Sequence, residues 1–280
     1  MKSVITMHVK TRIKDLNKFK IFCKVNETMP YIFKKKVLEA VIMCSLLYGC
    51  ETWLANSFKE VEKLYVGAVK AILGVRETTR SDTVLIEAGM PTLQNLIRKR
   101  TAAFAKKEFL NDFHADTPLI KIYKICERKR TNGFRYLSNI LNPISQRDPT
   151  VAEKFVNENG SKASTYRTLN SNLSVHLAYT CTEYINERER LAFTKFRLSS
   201  HRLKIETGRW SRINVENRLC DCGGGIEDET HVLFDCTKTE GVRRMFDVNR
   251  TKYINIGVLM DKMNVHDLVS FVYNCMKFFT

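Results

Sequence analysis

The stretch Cys220-Asp221-Cys222-Gly223-Gly224-Gly225-Ile226-Glu227-Asp228-Glu229-Thr230-His231-Val232-Leu233-Phe234-Asp235-Cys236 decides how the C-terminal part of this chain must fold. Two cysteines stand one residue apart, a histidine follows an acidic, glycine-rich turn, and a third cysteine closes the run after four intervening residues. Zinc takes about four ligands at the corners of a tetrahedron, so one short segment holds it only by reversing between its two ligand pairs. Three consecutive glycines supply that reversal, because glycine reaches backbone angles closed to other residues. A helix begun near Asp228 then places His231 and Cys236 about one and a half turns apart, near enough for both to meet one ion. The spacing predicts a small structural CCHC zinc knuckle over residues 220–236, with Cys220, Cys222, His231 and Cys236 as ligands. Four protein donors leave no open corner at which a water is activated. The Cys-x-Cys opening is tighter than the usual Cys-x-x-Cys, and the competing reading leaves His231 on the surface and Val232, Leu233 and Phe234 as ordinary core.

Outward from this run the chain is basic. Arg197, Arg202, Lys204, Arg209, Arg212 and Arg218 precede it, and the whole chain carries 46 Lys and Arg against 30 Asp and Glu, a net charge of +16. That excess is the footprint of a polyanion binder, so RNA or DNA gripped mainly through phosphates is the expected partner; the competing reading is a basic surface that only aids solubility. With 280 residues, 44% of them apolar, the chain can bury one large or two modest cores. Nine cysteines, an odd count without a signal peptide, are expected to be reduced thiols in an intracellular compartment, nucleus or cytoplasm. The longest apolar run, Val37 to Tyr48, is interrupted by Glu39 and is too short to cross a bilayer.

Residues 1–30 read as a basic amphipathic helix. Ten cations up to and including Lys34, Lys35 and Lys36 face only Asp15 and Glu27, while Ile13, Leu16, Phe19 and Phe22 recur at three-residue spacing. Residues 31–157 read as a helical bundle. A helix from about Ile32 to Tyr48 stops at Gly49; another opens at Ser57 with Glu60 as its capping-box partner and stops at Gly74. Ser81 to Ala88 is a short helix closed by Gly89. Pro91 starts a long one through about Asn111, with Leu93, Leu96 and Ile97 inward and Arg98, Lys99 and Arg100 outward. A helix near Pro118 ends in Arg128, Lys129 and Arg130. Phe134, Arg135 and Tyr136 then interleave aromatics with a cation, as base-stacking surfaces do, although aromatics at such spacing also serve as core. Residues 158–172, rich in Asn, Ser, Thr and Gly, read as a linker. Residues 173–280 read as a second helical domain: a helix over Val175 to Leu198, the knuckle, and a last helix from about Asn264 to Phe278. The expected fold class is mainly α.

Two blocks then resemble a known family. Lys34-Lys35-Lys36-Val37-Leu38-Glu39-Ala40 through Leu46-Leu47-Tyr48-Gly49-Cys50-Glu51-Thr52-Trp53, continuing to Ile72-Leu73-Gly74-Val75 and Glu87-Ala88-Gly89-Met90-Pro91, resembles the thumb that follows the reverse-transcriptase palm in LINE-type, non-LTR retrotransposon polyproteins. The run from Phe196 to Trp210, with Arg218-Leu219-Cys220-Asp221-Cys222 and Glu227 to Cys236, resembles the zinc-knuckle segment near the end of the same polyproteins. Together the blocks span most of residues 18–245, the middle matching only in character.

The resemblance implies a thumb-like bundle followed by a knuckle, a part in target-primed reverse transcription, and nucleic-acid contacts through Lys34, Lys35, Lys36, Arg98, Lys99, Arg100, Arg128, Lys129, Arg130, Arg202, Arg209 and Arg212. A palm-bearing reverse transcriptase chain is a further partner it suggests. No Asp-Asp pair occurs in the sequence, whereas two-metal phosphoryl transfer needs converging carboxylates. Neither of the family's nucleases fits, so the chain is expected to be no enzyme by itself, and Met1 to begin inside an older, longer frame. His8, His114, His176, His201 and His266 lack a nearby nucleophile arrangement, and Gly223 to Gly225 lack the Lys-Ser/Thr of a phosphate loop. Two other readings stay open: a protein-interaction module taken over by a host, and a decayed frame with no selected role.

Overall fold

The computed structural model of the chain describes residues 2–53, 58–109, 118–131, 149–181 and 183–279. Those residues are mainly helical, and among them the one strand-like pairing is an isolated antiparallel bridge between Leu219 and Ile226. The expected mainly α class is the one adopted.

Helix Lys2–Val25 lies along helix Lys59–Leu73 and buries Val9, Leu16, Phe19 and Cys23. Ile13, expected on that face, is 41% exposed. At 3.6 residues per turn a strict three-residue step drifts about 60° backwards each time, so Ile13 and Phe22 cannot both share the buried side. Helix Tyr31–Val37 continues through a π segment, Leu38–Met43, and a last turn, Cys44–Leu46, before Gly49 at φ 67° ends it. The Ser57 cap lies outside the described residues; helix Lys59–Leu73 starts after Phe58 and ends at Gly74, and Ser81–Ala88 ends at Gly89. Helices Leu93–Phe109 and Pro118–Arg128 match their expected positions.

The expected linker is corrected. Within 158–172 the chain forms helix Ser161–Leu169, which buries Ala163, Tyr166 and Leu169. Their three-residue spacing makes one packed face, and the intervening polar residues that suggested a linker are its outer side. Helix Val151–Phe155, opened by a capping box between Thr150 and Glu153, precedes it. The long helix expected over Val175 to Leu198 is also corrected: a 3-10 turn at Leu177–Tyr179 comes first, and the helix proper, Glu187–Arg197, starts only where Asn186 caps it.

Two apolar clusters form the core. One gathers the helical segments from Lys2–Val25 through Leu93–Phe109 with Phe155, Ala163 and Tyr166; the other joins Leu169, Phe193 and Phe196 to the C-terminal helices, where Val265–Met276 packs against Glu187–Arg197 and Glu229–Phe234. They are locked together by charge. Glu87, fully buried, accepts from Arg197 Nε at 2.7 Å and Nη2 at 3.1 Å and from the Tyr166 hydroxyl at 2.8 Å. Glu187 accepts from Lys34 at 3.2 Å and from Arg190 at 2.6 and 2.7 Å. Gly74, at φ 66°, turns its bare Cα toward Leu191, where a Cβ would meet Leu191 Cδ2 at 2.6 Å. Only glycine combines that left-handed angle with so close an approach.

Candidate metal centre

Arg218 and Glu227 bracket a tight hairpin. The Glu227 amide donates to the Arg218 carbonyl at 2.9 Å and the Cys220 amide to the Gly225 carbonyl at 2.8 Å. Gly223 (φ 77°) and Gly225 (φ 137°) supply the reversal. A Cβ on Gly224 would lie 3.2 Å from His231 Cε1 and 3.4 Å from the Cys222 sulfur, so the loop leaves that space to the two side chains. Asp228 then caps helix Glu229–Phe234 by accepting from the His231 amide at 2.8 Å, and Cys236 follows with its amide donating to the His231 carbonyl at 2.8 Å.

These elements bring the four expected ligands to one point. Their donor atoms all lie within 4.8 Å of one another: Cys220 Sγ is 3.8 Å from Cys236 Sγ, and Cys222 Sγ is 3.2 Å from His231 Nε2. A tetrahedron with metal–sulfur bonds of about 2.3 Å has sulfur–sulfur edges of about 3.8 Å, whereas a disulfide holds its sulfurs at about 2.05 Å. The cluster fits a metal ion and is no disulfide.

Its electrostatics point the same way. Burial, with the neighbouring thiols, pushes Cys220 up to about 12. Desolvation also raises Cys222, but the Gly224 amide, 3.3 Å from its sulfur, and hydrogen bonds with Cys220, Cys236 and His231 outweigh it and hold the thiol down at about 6. The thiols titrate as a coupled set, and a bound ion takes them as thiolates and releases their protons. The supporting shell is cationic: Lys204 and Lys238 both pair with Asp221, between the first two cysteines, and Arg243 Nη1 donates to the Cys236 carbonyl at 2.8 Å. The sequence reading missed Lys238 and Arg243; the Asp between two cysteines was the available sign that cations would gather there.

The residues expected to meet nucleic acid fare unevenly. Lys34 is corrected: it is 2% exposed and committed to Glu187, so it faces the core instead of a phosphate. Lys35 is half-buried and donates to the Ala88 carbonyl at 3.1 Å, whereas Lys36 is exposed, its ammonium 5.9 Å from the Phe33 ring centroid. Of the next group Lys99 is exposed and Arg98 and Arg100 are half-buried, Arg100 turned toward the Cys50 thiol. Arg128, Lys129 and Arg130 are exposed at a helix end. Beside the metal centre Arg202 and Arg212 are exposed, and Arg209 is half-buried against Glu206 at 2.7 Å. Phe134, Arg135 and Tyr136 lie outside the described residues, as does His114. The other histidines outside the cluster have partners: His8 with the Leu46 carbonyl, His176 with the Ala178 amide, His201 with Glu229 and His266 with Glu183.

No helix among the described residues is long and apolar enough to cross a membrane. No protein-family model, curated protein or solved structure matches this chain.

Proposed function

We propose that the chain binds nucleic acid through a surface organised in part by a structural zinc ion, in the manner of the thumb and knuckle end of a LINE-type retrotransposon polyprotein, without polymerase or nuclease chemistry of its own. The observation that carries this is the convergence of Cys220, Cys222, His231 and Cys236 within 4.8 Å on a chain of net charge +16, with Arg202 and Arg212 exposed nearby in sequence. Three sulfurs and one imidazole in a closed tetrahedral set suit zinc, and a four-donor set of this kind is structural. The partner is RNA or DNA, gripped through phosphates. A palm-bearing reverse transcriptase chain completes the picture as a second partner.

The test is binding of the purified chain to labelled single-stranded RNA and duplex DNA over a salt series, with zinc and after chelation. Affinity should fall steeply with salt, with a slope of about 0.7 per phosphate contact on single strands and 0.9 on duplex. It should fall again on chelation and in Cys222→Ser combined with His231→Ala, together with metal content. Binding no better than that of an unrelated polycation, indifferent to chelation, would remove the proposal.

A second reading, a host-adopted protein-interaction module, is favoured by the exposed apolar side chains of the first core unit: Met7, Ile21, Val25, Ile32, Phe33 and Tyr48 are each more than half exposed. It predicts a partner whose binding scarcely changes with salt.

A further inference from the structure

Glu206 gathers more positive charge than it balances. This carboxylate is 1% exposed, and Lys162, Arg209 and Arg76 approach its oxygens at 2.6, 2.7 and 3.9 Å. The three cations come from separate segments and each keeps part of its side chain in solvent, so even with the buried Glu229 in the field of Arg209 the locality carries an excess of positive charge. Arg76 runs on across the indole of Trp210, its guanidinium carbon 4.4 Å from the ring centroid, while its Nη2 donates to the Ser199 carbonyl at 2.8 Å. A cation over an indole face is held by the ring quadrupole, which fixes the plane of Trp210. Even so, Trp210 as a residue remains 55% exposed, whereas the other tryptophan, Trp53, is 8% exposed.

A ring held in place by a guanidinium yet open to solvent, above a surplus of cations, matches the two parts of a nucleotide. We propose that Trp210 and Arg76 form a stacking platform for an unpaired base of a single-stranded polynucleotide, with the adjoining phosphates drawn to Lys162, Arg209 and the exposed Arg212. This rests on the nucleic-acid reading above and states where and in what form the strand is held. Aromatic stacking tolerates any base, because every base has a π face. Bases within a duplex are already stacked on each other, so the platform selects single strands.

The platform also ties the metal centre to the rest of the chain. Trp210 ends helix Lys204–Trp210, whose first turn is fastened to the knuckle: the Lys204 amide donates to Glu227 Oε1 at 2.9 Å and the Ile205 amide to the Glu227 carbonyl at 3.0 Å. Arg76 belongs to the other core unit, just after Gly74. A strand lying on the platform therefore touches both units at once.

The experiment uses the full chain, short oligo(U) and oligo(dT), and a duplex of equal length, with affinity and tryptophan fluorescence read across a salt series. Both single strands should bind more tightly than the duplex and quench the exposed indole. Trp210→Ala should weaken single-strand binding by roughly 5- to 150-fold with the salt slope unchanged, and Trp210→Phe should restore most of it. Lys162→Gln should instead lower the slope by about 0.7. A preference for oligo(U) over oligo(dT), or the reverse, names the strand within the same proposal. Single-strand binding that is equal in wild type and Trp210→Ala, without quenching, overturns the platform and leaves the nucleic-acid reading standing. No binding of any strand overturns both and leaves the exposed indole to a protein partner.

Discussion

Replacing Glu87 by Gln removes one charge from the middle of the molecule and almost nothing else. The side chain keeps its length, yet Arg197, itself 1% exposed, loses the carboxylate it pairs with at 2.7 and 3.1 Å and keeps, among the described residues, the Leu169 carbonyl and the face of the Phe193 ring. Breaking a buried pair from one side leaves an uncompensated charge and costs about 3–5 kcal/mol. A chain this size holds together by about 5–15 kcal/mol, so the substitution removes a large share. At about 2–4 °C per kcal/mol the melting temperature should fall by roughly 6–20 °C. Arg197 and Tyr166 hold the buried Glu87 below its ordinary range even though desolvation pushes the other way. A carboxylate with a lowered folded pKa contributes stability that is complete above the unfolded value of about 4.3 and is lost as pH falls through the folded one. Urea melts of wild type should therefore lose stability below about pH 4, and that acid limb should shrink in Glu87→Gln. Circular dichroism and tryptophan fluorescence should report one coincident transition in wild type. A loss below about 1 kcal/mol, the size expected of an exposed pair, would refute a dry pairing of Glu87 with Arg197. So would a destabilisation that persists undiminished when Arg197→Met is added, because that double change restores charge balance.

Gly74→Ala places a Cβ 2.6 Å from Leu191 at a left-handed φ of 66°; strain and overpacking should cost about 1–3 kcal/mol, read in urea, and Leu191→Ala in the same chain should relieve the steric part. Lys34→Met leaves Glu187 and Arg190 as a balanced buried pair, so nucleic-acid affinity and its salt slope should not move, whereas Lys36→Met should lower the slope by about 0.7 to 0.9 if that lysine meets a phosphate. Burial and the nearby Arg197 hold His176 at about 4; since the unfolded chain takes up that proton near pH 6.5, stability should decline as pH falls from about 6.5 to about 4. His176→Asn, which keeps an acceptor for the Ala178 amide, should flatten that part of a pH series of thermal melts.

Much of the architecture could be read from local signals. Gly49, Gly74 and Gly89 end helices where a residue without Cβ was needed, and all three sit at positive φ. The four metal donors were legible because ligand chemistry and a glycine turn lie within one short segment, so no distant contact had to be guessed. What failed was whatever tertiary structure decides. Helix Ser161–Leu169 is polar over most of its surface and owes its place to Ala163, Tyr166 and Leu169 meeting neighbours far away in sequence. Lys34 sits in a run of three lysines that looks like a solvated face, and its partner, Glu187, comes 153 residues later. Arg76 meets both Trp210 and the carboxylate that Lys162 pairs with, a grouping no spacing rule could assemble, since the three come from separate parts of the chain.

The ion pairs that cross between the two core units bear on how such a chain can be inherited. A cut or a recombination event in the polar stretch 158–172 looks harmless from composition alone. It would strand Glu87 and Lys34 on one product and Arg197, Glu187 and Arg190 on the other, each product exposing the apolar surface it had shared. The first piece would hold Glu87 and Lys34 parted from their buried partners, and the second would be left with one unbalanced positive charge. The bundle and the end that carries the candidate metal centre therefore have to travel through any rearrangement as a single cassette, with the seam written in charges that each holds for the other.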